Sequence, residues 1–145
     1  YSYRRIYVRE DYDEIHGPED LNGKKIATNI TNAYADELTA LGTQIVPVDT
    51  AQQAIDLLMQ GRVDFLHFTD LIYGPIVEAH PEYKVKVAFT FDDGVETYGV
   101  PLKKGEDRLV EAVNTALEEL IADGTLGEIS KKYLGGDYTT ASSVE

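Results

Sequence analysis

At 145 residues, 43% hydrophobic and 27% charged, the chain is long enough for one domain with a real core, or a small domain with an appendage, and too short for two full domains. Its 13 Lys and Arg against 26 Asp and Glu give a net charge of −13, which repels phosphate backbones and anionic membrane surfaces and excludes nucleic acid as an expected partner. Cysteine is absent, so disulfides, thiol nucleophiles and Cys-ligated zinc are excluded, and no stretch approaches the roughly 18 apolar residues that span a bilayer.

The opening Tyr1-Ser2-Tyr3 shows no targeting signal. Arg5 to Arg9 has the β-branched and aromatic content of a short strand. Pro18 to Gly23 reads as a turn with one helical turn in it, reversed by Asn22-Gly23. Lys24 to Asn29 reads as a strand, and Thr31 or Asn32 caps a helix over Ala33 to Leu41 that Gly42 closes. Gln44 to Val48 is a further strand. Thr50 caps the helix Ala51 to Gln60, whose Ala51, Ala54, Ile55 and Leu58 form a stripe, and Gly61 stops it. Val63 to Phe68 suits a strand buried on both faces, and Leu71 to His80 is a helix ended by Pro81.

Lys84 to Phe89 and Glu96 to Pro101 read as two strands separated by an acidic loop, Asp92-Asp93-Gly94. Leu109, Val113, Ala116, Leu117, Leu120 and Ile121 lay one apolar stripe along a long helix, a face that demands a partner. Asp123-Gly124 ends it, and Thr125 caps a second helix carrying Leu126, Ile129 and Tyr133 on one side, stopped by Gly135-Gly136. Asp137 to Glu145 lacks periodicity and reads as a frayed tail. The alternation argues for an α/β fold with a mostly parallel, doubly wound sheet and helices on both faces.

In open α/β sheets ligands bind beyond the carboxyl ends of strands. Two junctions qualify. At Asn29-Ile30-Thr31-Asn32-Ala33-Tyr34, free amides at a helix start either receive an anion or are capped by Thr31 or Asn32, and capping is the commoner use. At His67-Phe68-Thr69-Asp70, Asp70 either holds an ammonium group or caps its own helix, and sequence leaves the two level. His16, His67 and His80 lack metal-ligand spacing, so neither a metal site nor another cofactor is expected. Asp92, Asp93 and Glu96 match no EF-hand and read as a solvated loop, and no hydrolase, dinucleotide or P-loop motif occurs.

Glu19-Asp20-Leu21-Asn22-Gly23-Lys24-Lys25-Ile26, Asp49-Thr50-Ala51-Gln52-Gln53-Ala54, Gly61-Arg62-Val63-Asp64, Tyr98-Gly99 and Asp123-Gly124-Thr125 through Lys131-Lys132-Tyr133-Leu134-Gly135 resemble, in series from about Arg5 to Gly135, the bacterial extracellular solute-binding proteins of family 3. The resemblance implies a periplasmic-binding-protein type II clamp. Residues 1–23 are then an outgoing crossover strand and hinge, 24–95 the second lobe, 96–136 the return strand with C-terminal helices of lobe one, and 137–145 a tail. The N-terminal part of lobe one is expected to be missing. The same resemblance implies an extracytoplasmic, non-catalytic protein that takes a small polar solute, an amino acid or related compound, to an ABC transporter permease.

Ligand contacts carried over are Asn29, Thr31, Asn32, Ala33, Tyr34, Thr69 and Asp70. Ala33 stands where the family usually offers a hydroxyl. Thr69 stands where it usually offers an ammonium-binding Asp, with Asp70 one residue later. Relatives of the same fold that resemble cyclohexadienyl or arogenate dehydratases imply an alternative, with Glu96 or Asp70 as proton donor. A sensory module of a receptor kinase is a third reading. The stripe through Val113, Leu117 and Leu120 predicts self-association of this chain or a swapped arrangement.

Overall fold

The computed structural model describes residues 1–141, the side chains of Val77, Glu78 and Asp93 excepted, so the last four residues of the expected tail and the Asp93 carboxylate lie outside the described residues. The chain divides into two compact units, Arg4–Gly94 on the one hand and Tyr1–Tyr3 with Val95–Glu145 on the other.

In the Arg4–Gly94 unit, strand β1 (Ser2–Arg9) leads to a 3-10 turn (Pro18–Leu21). It is followed by β2 (Lys25–Thr28), α1 (Ala35–Ala40), β3 (Gln44–Pro47), α2 (Ala51–Met59), β4 (Leu66–Thr69), α3 (Asp70–Ala79) and β5 (Val85–Glu96). β2 and β3 pair in parallel, with Ile26 opposite Ile45. A parallel bridge between Ile26 and Phe65 joins β2 to the approach of β4. β1 lies between β4 and β5 and runs antiparallel to β4, with Arg4 opposite Thr69 and Ile6 opposite His67. The sheet is therefore parallel where βα units wind it and antiparallel where β1 enters.

Side chains alternate across this sheet, and both faces are buried. Ile6, Val8, Ile26 and Phe65 point into one cluster with Ile15, Leu21, Leu38 and Phe91. Their chain neighbours Tyr7, Ala27 and Leu66 point into the other, with Ala54, Ile55 and Leu58 of α2 and Tyr73 of α3. Ile26, Ile55, Leu58, Phe65 and Leu66 are completely buried, each stabilising the fold by about 1.5–3 kcal/mol relative to exposure. Burial on two faces explains why the run from Val63 to Phe68 carries no period-2 polarity.

Local signals hold where they act within a few residues. The Thr50 side chain accepts the Gln53 amide and caps α2, as its position before Ala51 predicts. Gly42 follows α1 at φ +81°, and a Cβ there would stand 2.3 Å from Asn22 Oδ1, so both conformation and space require glycine. The expected pair of strands after Tyr83 is instead one strand, β5, which continues through the acidic residues to Glu96, while 97–101 form no strand. Gly94 permits this continuation: a Cβ there would meet the Phe91 carbonyl at 2.8 Å and Arg4 Cβ at 3.2 Å.

The other unit carries α4 (Asp107–Ala122) and α5 (Thr125–Leu134). α4 buries no residue fully among those described: of its stripe Leu109 and Ile121 are exposed, as is Val110 beside it, while Val113, Leu117 and Leu120 are half-buried, and the helix packs against α5. Thr125 does not cap α5. The αL residue Gly124 occupies the cap position, and the Asp123 carboxylate accepts the Thr125 amide, which holds its pKa below the ordinary carboxylate value. Residues 137–141 are not frayed: Ser130 Oγ donates to the Gly136 carbonyl, the Tyr138 amide donates to Ser130 Oγ, and the Tyr1 backbone nitrogen donates to the Tyr138 carbonyl at 2.7 Å.

Candidate functional site

β2 and β4 run the same way, so their carboxyl ends, Thr28 and Thr69, open on one edge of the sheet. That edge carries both junctions singled out from sequence.

Beyond β2 the chain turns on its own side chains. Asn29 Oδ1 accepts from both the amide and the hydroxyl of Thr31 at 2.8 Å. Asn32 Oδ1 accepts the Tyr34 amide at 2.9 Å, and Asn32 Nδ2 donates to Thr28 Oγ1 at 2.9 Å. These are Asx turns, the reason Asn is common in such loops. They correct one expectation: the Thr31 and Tyr34 amides are engaged within the turn rather than free, and α1 receives no side-chain cap from Thr31 or Asn32. Asn29, Thr31 and Ala33 are exposed, while Asn32 and Tyr34 are half-buried. Asp36 and Glu37 in the first turn of α1 already complement the positive end of its dipole.

At the end of β4, Thr69 is buried, and its Oγ1 makes no hydrogen bond among the described residues. Asp70 opens α3 and is committed to neighbours on β1. Its Oδ1 lies 2.8 Å from Arg5 Nε and accepts the Tyr7 hydroxyl at 3.1 Å. Burial, with the Asp70 charge beside it, pushes the Tyr7 hydroxyl pKa far above its ordinary value, so Tyr7 stays a donor to Asp70. Asp70 Oδ1 thus fastens the start of α3 to β1.

A third group links the junctions. Arg4 faces inward from β1, its side chain only 6% exposed, and its two terminal nitrogens donate to the Glu37 carboxylate at 2.9 and 3.3 Å. The guanidinium lies 4.3 Å from the Tyr34 ring centre and 4.7 Å from that of Phe91. His67 meets the edges of both rings, at 5.1 and 5.7 Å. Sequence reasoning passed over Arg4 and Glu37. The available signal was alternation, which puts Arg4 on the same face of β1 as the core residues Ile6 and Val8.

The structure thus brings Asn29 to Tyr34 together with Thr69 and Asp70 at one sheet edge. It offers polar groups, aromatic surface and three nearby carboxylates, and the Asp70 and Glu37 carboxylates are each paired with an arginine.

The fold is that of type II periplasmic binding proteins. The model of the bacterial extracellular solute-binding proteins, family 3, matches residues 5–136, and the chain belongs to that family. It is 33% identical over 132 residues to the L-cystine-binding protein TcyA of Bacillus subtilis, covering 91% of this chain and 49% of the relative. It is 32% identical over 145 residues to the glutamate-binding protein GluB of Corynebacterium glutamicum, covering 94% and 48%. The crystal structure of the L-cystine solute receptor of Neisseria gonorrhoeae, unliganded and open, aligns with a TM-score of 0.76 at 28% identity, covering 96% of this chain and 59% of that one. The chain spans about half the length of the curated relatives it matches.

Proposed function

We propose that this chain is part of an extracytoplasmic solute-binding protein that captures a small polar solute, an amino acid or a related compound, and delivers it to the permease of an ABC importer. The family match over residues 5–136 carries this reading. The sheet edge formed by Asn29, Thr31, Asn32, Ala33 and Tyr34 with Thr69 and Asp70 supports it, because it combines polar donors and acceptors with a half-buried ring. By the family resemblance, 24–95 is the second lobe of a clamp, 1–23 and 96–136 are crossover and first-lobe segments, and 137–145 is a tail. Relatives named as amino-acid-binding proteins favour binding over turnover, and no observation favours a dehydratase or a sensor module.

With Asp70 Oδ1 held by Arg5 and Tyr7, an ammonium group at the site is left the carbonyls of the turn and the remaining oxygen of Asp70 as acceptors. A thermal-shift screen of the longest natural polypeptide containing this chain, against L-cystine, L-glutamate, other amino acids and small organic acids, tests the reading. Saturation at about 100 times Kd raises stability by about 2.7 kcal/mol, a shift of several degrees. A flat response across the panel contradicts it. The exposed apolar face of α4 further supports self-association of this chain in isolation.

A further inference from the structure

Arg4 is a charged residue in a core position, and its guanidinium meets Tyr34 and Glu37 on one side and Phe91 on the other. We infer that Arg4 is the positioning residue of the Asn29–Tyr34 turn, fixing its geometry for solute without touching solute; this rests on the solute-binding reading above.

The turn has few anchors of its own. Its Asx bonds are local, made by Asn29 and Asn32 to amides two residues on. They shape the turn but do not place it on the sheet. α1, which follows, is six residues long and has no side-chain cap, too short to hold itself in water. Leu38 of α1 is buried in the core, and two side-chain contacts among the described residues join the turn itself to the sheet. At its start, Asn32 Nδ2 donates to Thr28 Oγ1 at the end of β2. At its far end, the Tyr34 ring is held 4.3 Å from the Arg4 guanidinium, and Glu37, one turn further on, takes both terminal nitrogens of the same group.

Only a planar, forked cation can do both at once. Phe91 packs 4.7 Å from the guanidinium, and Gly94 leaves Arg4 Cβ the space to approach β5. Arg4 therefore carries the position of β1 and β5 to the loop. Because Tyr34 also meets His67, two residues before Thr69, the same contact fixes the two halves of the sheet edge against each other.

The test is Arg4→Lys, which keeps the charge and loses the fork and the plane. Hydrogen exchange at the amides of Thr31, Asn32, Tyr34 and Ala35 should quicken by about tenfold, while the amides of β2 and β3 keep their rates. Affinity for whichever of L-cystine, L-glutamate and L-arginine binds the wild type should fall by about tenfold. Lys24→Ala, which removes the surface pair of Lys24 with Glu14, should leave both readouts unchanged.

Exchange that quickens equally through β1, β2 and β3 would make Arg4 an ordinary stabilising residue and overturn the inference. So would unchanged affinity in a protein whose wild type binds solute. If no solute binds the wild type, the solute-binding reading fails, and the exchange measurement still decides whether Arg4 holds the turn. Should Arg4→Lys fail to fold, Glu37→Gln removes the charge from the exposed side of the pair, and the same pattern of exchange is expected.

Discussion

Asp70 shows how a side chain's role depends on strands distant in sequence. From the chain alone it stands at a helix start, free to cap or to bind an ammonium group. Its Oδ1 is engaged by Arg5 and Tyr7, which alternation places on one face of β1 and which only the β1–β4 pairing brings within reach. Asp70→Asn should therefore lower stability by about 1–2 kcal/mol in urea unfolding, the range for a charge-assisted pair that is partly screened by solvent. Loss of solute binding without any loss of stability would instead return Asp70 to the role of ammonium acceptor. Arg4 was invisible for the same reason as Asp70: its partners, Glu37, Tyr34 and Phe91, lie 30 or more positions along the chain. Thr50 and Gly42, whose roles are settled within a few residues, were legible.

Elements were readable where they carry their own period or punctuation. α2 and α4 follow their apolar stripes to within a residue or two, because Thr50, Gly61 and Gly124 mark their limits. β5 was read as ending at Phe89, with a separate strand from Glu96, because Asp92, Asp93 and Gly94 have the composition of a loop, whereas pairing beside β1 carries the strand through them to Glu96. The reading of α5 misplaced its cap by the same limit: Asp123, two residues earlier, accepts the Thr125 amide. α4 presents the opposite situation, a correct helix whose apolar face stays exposed at Leu109, Val110 and Ile121. The isolated chain should sediment as a concentration-dependent oligomer, and Leu109→Glu with Ile121→Glu should return it to a monomer. A monomer at high concentration before any substitution would show that the face is not used between copies.

At the scale of the molecule, the chain carries a compact α/β unit, Arg4–Gly94, with sheet, both core layers and the candidate site. Fold class and family were legible because the motifs from Glu19 to Asp64 lie on and between the elements of this unit, so that their spacing is the spacing of its strands and helices. The solute was not legible, because affinity depends on a few side-chain positions rather than on topology. The most direct test is an NMR titration of uniformly 15N-labelled protein, the longest natural polypeptide containing this chain, with L-cystine, L-glutamate and the wider amino-acid panel. Saturable shifts concentrated at residues 29–34 and 69–70 are predicted. Shifts absent from both segments, or gathered elsewhere on the Arg4–Gly94 unit, would contradict the assignment of this sheet edge as the solute site.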